Sequence, residues 1–148
     1  MNANDSPSSS SRWPAAPNNS RQWRQDSGRV TISDLGEHVL AVEVAGFLSD
    51  EALDFCRMEV GAFMESSGAA HLFWDCSQLE RFGSRIRDGM VGLLVSRRSE
   101  WQTAHVLVRS SLVSMTVSAV GLGLFGRLKS YREPKDFYRA VEQTLATG

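Results

Sequence analysis

The stretch Leu72–Ile86, LFWDCSQLERFGSRI, passes from an apolar run into a polar segment and then into the start of a predicted helix. The apolar run ends at Asp75, and the dipeptide Gly83-Ser84 precedes residues with helical spacing. This order predicts that the hydroxyl of Ser84 lies at a helix N-terminus, where backbone N–H groups lack intrahelical partners and the helix dipole is positive. Such a corner can bind a phosphate or a partner protein.

The segments around this stretch alternate between strand and helix patterns. We predict strands over Arg29–Ser33, His38–Ala45, Ala69–Asp75, Thr103–Arg109 and Gly126–Tyr131. We predict helices over Asp50–Ser66, Ser84–Arg97, from Ser110 or Ser111 to about Phe125, and from Glu133-Pro134 onward. The first two strands should form an antiparallel hairpin, and the later ones parallel β-α-β units with right-handed crossovers. The pattern therefore predicts an α/β fold, a single domain with a four- to five-stranded mixed sheet and helices mainly on one face.

Two local features define the first predicted helix. Ser49 is expected to be its N-cap, with Asp50 and Glu51 in its first turn, where carboxylates are favourable to the dipole. Ser67-Gly68 should end it.

Residues 1–28 differ in composition from the rest of the chain. They contain no Leu, Ile, Val or Phe, and they hold seven serines and three of the four prolines. A segment of this kind buries too little apolar surface to offset its chain entropy, so we predict a disordered tail over 1–28 and a domain over 29–148. Trp13 and Trp23 are unusual for a tail. Either they contact the domain surface, or together with Arg21 and Arg24 they form a docking segment that orders on a partner.

Composition excludes several function classes. The net charge of −1 offers no electrostatic reason to bind nucleic acid or an anionic membrane. No apolar run approaches the roughly 20 residues of a membrane span, and the N-terminus lacks the apolar core of a secretory signal. Cys56 and Cys76 form neither a C-x-x-C pair nor a disulfide framework. We interpret both as buried thiols and expect a cytoplasmic location.

The order of elements, together with the segment around Ser84, resembles the STAS domain family, which includes bacterial anti-sigma factor antagonists and the cytoplasmic tails of sulfate transporters. Asp75-Cys76-Ser77 lies where that family has Asp-Leu-Ser, and Gly83-Ser84-Arg85-Ile86 lies where it has Asp-Ser-Ser-Gly at the start of a helix. Gly83 thus replaces the family's Asp, and Arg85-Ile86 replaces Ser-Gly. The resemblance covers about Val30–Leu145, mostly as pattern rather than identity.

The resemblance implies a non-enzymatic protein-interaction module in bacterial regulation. Ser84 corresponds to the phosphorylatable serine, which in the antagonists is modified by a kinase that is also the anti-sigma factor; Ser77 is a secondary candidate. The alternative is that Ser84 is only an N-cap. The predicted docking surface combines the loop Ser77–Phe82 with the start of the second helix, and its residues are Asp75, Ser77, Phe82, Gly83, Ser84, Arg85 and Arg87. The implied partner is a kinase-like anti-sigma factor or another regulator.

Two other functions stay open on the same fold. A SpoIIAA-like branch without the phosphoserine motif suggests a carrier of an apolar, lipid-like ligand, and the small residues Ser114, Ser118 and Gly121 of the third predicted helix would then line a slot. An uncovered apolar sheet face would instead favour a homodimer or larger assembly.

Catalytic and metal-site patterns are weak. The residues His38, His71 and His105 have no metal-ligand spacing, so we interpret them as structural and expect no metal or cofactor. A triad of Ser84, His105 and Asp75 can be drawn, but no nucleophile elbow or oxyanion hole accompanies it.

Overall fold

A computed structural model describes residues 12–109 and 126–147 of the chain. In chain order its elements are β1 (Asn18–Gln25), β2 (Gly28–Asp34), β3 (Val39–Leu48), α1 (Ala52–Ser67), β4 (Ala70–Phe82), α2 (Ser84–Ser96), β5 (Trp101–Leu107), β6 (Leu128–Tyr131) and α3 (Pro134–Thr147). The helix predicted between Ser110 or Ser111 and about Phe125, with its small-residue stripe, lies outside the described residues.

The strands form one mixed sheet in the order β1-β2-β3-β4-β5-β6. β1, β2 and β3 are antiparallel neighbours, and β3, β4, β5 and β6 are parallel neighbours. The predicted α/β class, the hairpin and the parallel units are confirmed. The sheet has six strands rather than four to five because residues 18–25 add β1 at one edge.

The prediction of a disordered tail over 1–28 is wrong for the part that the structure describes. β1 pairs with β2, and Trp23 of β1 packs against the buried core. Arg21 forms ion pairs with Asp34 and with Glu59 of α1, each at 2.9 Å. Backbone pairing with β2 and these anchors order a polar segment whose own composition does not favour a strand. Residues 1–11 lie outside the described part.

Two cores cover the two faces of the sheet. In β3, Leu40, Val42 and Val44 point into the first core, between the sheet and the helices α1 and α2. Val39 and Ala41 point into the second core, beneath α3. Two of the three described helices therefore share one face, and α3 packs on the other. None of the helices in the described ranges is both long and apolar enough to cross a bilayer.

The start of α1 differs from the prediction. The helix begins at Ala52, so the carboxylate of Asp50 lies before it and not in its first turn. Ser49 is not the N-cap: its hydroxyl donates to Oε1 of Gln25 at 3.0 Å, and its carbonyl accepts from the N–H of Ala52 at 3.0 Å. The predicted end is confirmed, because Gly68 follows α1 in the left-handed conformation, with φ +72°.

The prediction of a loop over Ser77–Phe82 is wrong, because this segment is the second half of β4. It continues because β3 also continues, past Gly46 to Leu48. The pairing of β3 with β4 shifts register twice, between Glu43 and Ala45 and between Gly46 and Phe47. These irregularities let the two strands stay paired up to the start of α2.

Candidate interaction site at the start of α2

Ser84 is the first residue of α2 and is exposed to solvent. Gly83, the N-cap residue, has an extended backbone and donates its N–H to the carbonyl of Leu48 at 2.8 Å. Its own carbonyl accepts from the N–H of Ile86 at 3.1 Å, which closes the first turn. The end of β3 therefore fixes the place where β4 passes into α2, and the Ser84 side chain lies on the outside of that corner.

Asp50 caps α2 from outside the helix. Its Oδ1 accepts the backbone N–H of Arg85 at 3.0 Å, across 35 residues of sequence. A Cβ atom at position 83 would lie 2.2 Å from the same oxygen, so only glycine leaves room for the carboxylate. A carboxylate at this end of a helix is favourable to the dipole. Sequence reasoning missed this role, because no short-range pattern connects Asp50 to the start of α2.

Arginines surround Ser84 in sequence. Arg81, Arg85 and Arg87 are exposed, and the first turn of α2 contains no acidic residue. The Arg81 guanidinium lies 4.7 Å from the centre of the Phe47 ring, and Nε of Arg87 lies 3.2 Å from Oδ1 of Asp88. Cations near a helix N-terminus oppose the dipole. Helix stability therefore does not explain these arginines, whereas an anionic partner or group would.

Asp75 and Ser77 are not part of this surface, which corrects the prediction for both. Oδ1 of Asp75 accepts the backbone N–H and the hydroxyl of Ser77, at 3.0 and 2.6 Å. Oδ2 accepts the hydroxyl of Tyr138 and contacts Arg12. The Asp75 side chain is 2% exposed. Asp75 shares the face of Phe73, two residues earlier in β4, and therefore faces α3 on the opposite side of the sheet from α2.

Phe82 and Arg87 contribute to an apolar pocket between the sheet and α2. The pocket has a volume of about 150 Å³. Its described lining residues are Val44, Leu48, Cys56, Trp74, Cys76, Leu79, Phe82, Ile86, Arg87, Met90, Val91, Leu94, Val106 and Leu128. Cys56 is buried and Cys76 half-buried. Burial raises the pKa of both thiols to about 12, so they are protonated at neutral pH.

Two of the three histidines, His71 and His105, belong to a hydrogen-bonded row across the sheet, whereas Nδ1 of His38 lies 2.6 Å from the hydroxyl of Ser67. His71 Nδ1 lies 2.8 Å from the hydroxyl of Thr103, whose other neighbour is Nε2 of His105 at 2.9 Å. His105 Nδ1 lies 2.9 Å from the hydroxyl of Tyr131. Both ring nitrogens of His105 are thus occupied, and the triad with Ser84 and Asp75 is not assembled. Within residues 12–109 and 126–147, no three His, Cys, Asp or Glu side chains are placed to hold a metal ion.

Known structures share this architecture, although their sequences are only distantly similar to the sequence of this chain. A scan against protein-family models finds no match, and a search of curated proteins finds none of significance. A protein of the DUF3478 family from Shewanella loihica, with a SpoIIAA-like fold, superposes with a TM-score of 0.57 at 11% identity, covering 95% of this chain and 98% of that one. The chain has the SpoIIAA-like fold.

Three further structures share this fold with the chain. An anti-sigma factor antagonist from Mycobacterium paratuberculosis has a TM-score of 0.54 at 22% identity, over 80% of this chain and 97% of that one. The anti-sigma factor antagonist SpoIIAA in its unphosphorylated form has a TM-score of 0.55 at 14% identity, over 78% of this chain and 97% of that one. SpoIIAA from Bacillus in its phosphorylated form has a TM-score of 0.51 at 16% identity, over 75% of this chain and 98% of that one. The resemblance to the STAS domain is thereby confirmed at the level of the fold.

Proposed function

We propose that this SpoIIAA-like chain is a non-enzymatic regulatory module that binds another protein through the start of α2. The observation that supports this is the position of Ser84, which is exposed on the first residue of α2 with Arg85 and Arg87 beside it. The fold is shared with an anti-sigma factor antagonist that has been solved with and without its phosphate. We infer that Ser84 is the phosphorylated residue here.

A phosphate on Ser84 would change the charge of this corner. It adds about −1.5 to −2 charges at neutral pH. The carboxylate of Asp50 already accepts the backbone N–H of Arg85, so the phosphate would compete with Asp50 for the helix N-terminus. It would also attract the exposed arginine side chains. Phosphorylation would therefore offset at least half of the positive charge of the three arginines and release the Asp50 cap. A partner that recognises the arginines would bind only the unmodified form.

Modification is tested with protein isolated from the cells that make it. On phosphate-affinity gels the wild type should show a retarded band that phosphatase removes and that is lost in Ser84→Ala. Ser96→Ala is the matched control: Ser96 lies in the last turn of the same helix, where its hydroxyl donates to the Leu93 carbonyl at 3.2 Å. This control should keep the retarded band. A band that persists in Ser84→Ala would disprove modification at this residue.

Partner binding is tested separately. A protein captured by in-cell cross-linking to the wild type is purified, and its affinity is measured for Ser84→Ala, Ser84→Asp and Arg85→Ala. We expect Ser84→Asp and Arg85→Ala to bind at least tenfold more weakly than Ser84→Ala, because one adds a negative charge and the other removes a positive one. Equal affinities for all three variants would refute this docking surface.

The apolar pocket supports a second candidate, binding of a small apolar ligand. A cavity of about 150 Å³ holds a group the size of benzene, whereas drug-sized ligands occupy about 300–1,000 Å³. A lipid-like ligand is therefore less favoured than the interaction module. Native mass spectrometry of freshly purified protein would show a bound ligand as an added mass. The homodimer and the cytoplasmic location stay predictions, tested by light scattering and by cell fractionation.

A further inference from the structure

The second core contains a site that is filled by residues from the N-terminal end of the described chain. The indole of Trp13 is 5% exposed and meets the rings of Tyr138 and Phe137 edge-on, at centroid distances of 5.1 and 6.0 Å. Its Nε1–H donates to Oε2 of Glu43 at 2.8 Å. Ring packing therefore buries the indole, and the hydrogen bond to Glu43 fixes its orientation.

Arg12 fills the polar half of the same site. Its guanidinium lies 3.0 Å from Oδ2 of Asp75 and 5.5 Å from the centre of the Tyr138 ring. Arg12 keeps 36% of its side chain exposed, whereas Asp75 keeps 2%. The carboxylate is thus a fixed part of the site, and the guanidinium reaches it from the solvent side.

The side chains that line the site carry negative charge, which suits a positively charged occupant. Two carboxylates, Glu43 and Asp75, lie beside the phenol of Tyr138. Burial raises the pKa of that phenol, and the hydrogen bond to Asp75 raises it further, whereas Arg12 acts in the opposite direction. A buried carboxylate that loses its cation is strongly destabilising, so Asp75 favours an occupant with a positive charge.

Arg12 and Trp13, which occupy the site, are connected to the sheet only through a short segment outside the regular strand pairing. Of residues 12–17 only Trp13 is buried, and regular pairing with the sheet begins at Asn18. Arg12 and Trp13 therefore behave as a short two-residue ligand, connected to β1 by the segment 14–17, which contains Pro14 and Pro17. A second segment with the same two side chains would compete for this site by mass action.

We propose that Glu43, Asp75, Phe137 and Tyr138 form a binding site for an arginine–tryptophan peptide segment, that Arg12 and Trp13 occupy it in the free chain, and that a partner protein presenting such a segment displaces them. The site lies on the face opposite α2 and is separate from the surface at Ser84. A partner bound there would meet a chain whose N-terminal end has been released.

The test uses the full-length chain and a synthetic peptide, SSSSRWPAAP, which copies residues 8–17. The double variant Arg12→Ala/Trp13→Ala empties the site. We expect the peptide to bind this variant saturably at one site, and to bind the wild type at least tenfold more weakly because its own segment competes. The matched control peptide, with alanine at both the arginine and the tryptophan, should bind neither protein. Isothermal titration calorimetry measures all four combinations.

A milder variant covers the case in which the double variant does not fold. Trp13→Phe keeps a ring in the core but removes the hydrogen bond to Glu43, so the peptide should bind it with intermediate affinity. Adding Glu43→Ala to whichever variant is folded should weaken peptide binding at least fivefold. Absence of binding to the emptied chain, equal binding to the wild type, binding of the control peptide, or indifference to Glu43→Ala would each overturn the proposal.

Discussion

At Gly83 the absence of one carbon atom decides how α2 is capped. The backbone there has φ −67°, which any residue adopts, so conformational freedom is not the reason for glycine. The reason is space, because a Cβ would lie 2.2 Å from Oδ1 of Asp50. The STAS pattern that the sequence resembles has an aspartate at this position, whereas in this chain Asp50 supplies the carboxylate.

We predict that Gly83→Ala lowers the free energy of unfolding by about 1 kcal/mol, the typical value of a lost helix cap. Asp50→Ala should cost a similar amount because it removes the acceptor of the Arg85 N–H. The double variant should cost no more than either single one, since both changes remove one interaction. Urea denaturation followed by circular dichroism measures all three, and fully additive losses would show that Gly83 does not act through Asp50.

At the scale of elements, two glycines of α2 differ in their surroundings. Gly89 packs against α1, whereas Gly92 faces open space in the described part of the chain. A Cβ at Gly89 would lie 2.5 Å from Cδ1 of Leu53 in α1. No atom lies within 4 Å of a Cβ built at Gly92, three residues farther along the same helix. The two positions thus have the same intrinsic helix propensity but different surroundings.

This difference predicts opposite effects of the same substitution. Gly92→Ala should raise the free energy of unfolding by about 0.5–1 kcal/mol, because alanine favours a helix interior over glycine. Gly89→Ala should lower it by about 1–3 kcal/mol, because the added methyl group would overlap the buried side chain of Leu53 and force it out of its packed position. Thermal and urea unfolding of the two variants measure the difference, and a shift of the same sign in both would contradict the described packing of α1 on α2.

At the scale of the whole molecule, a buried histidine ties the sheet to α3. His105 stacks on Phe73, with ring centroids 4.2 Å apart, and Phe73 in turn contacts Phe137 of α3 edge-on. Burial, aided by the charge of Lys129 and by His71, lowers the pKa of His105 to about 4. The folded chain therefore keeps this ring neutral at a pH where the unfolded chain protonates it.

The sign of the pH dependence follows from this difference. Between the unfolded pKa, about 6.5, and the folded pKa, about 4, the unfolded state binds more protons, so stability falls as the pH falls. We predict a loss of about 2 kcal/mol between pH 7 and pH 5 from His105. His105→Asn should be less stable at pH 7 and should lose less stability on acidification, as measured by urea unfolding at several pH values. An unchanged slope in His105→Asn would assign the effect to other groups.

The sequence by itself determined the features that depend on neighbouring residues. A strand over His38–Ala45, the stop at Gly68 and the start of α2 at Ser84 were predicted correctly, because periodicity and turn chemistry act over a few residues. The order of these elements was sufficient to indicate the fold. The position of Ser84 at a helix N-terminus also followed from local pattern, whereas its phosphorylation stays a prediction.

Only the tertiary structure decided the features that join distant segments. Residues 18–25 became β1 because β2 offered an edge to pair with, and the Trp13 indole became buried because Glu43 and Tyr138 lay at the right distance. Asp50 caps a helix that begins 34 residues later in the chain, and Asp75 accepts the hydroxyl of Tyr138, 63 residues later in α3. Burial and pairing partners depend on contacts between elements, and such contacts leave no periodic signal in any one segment.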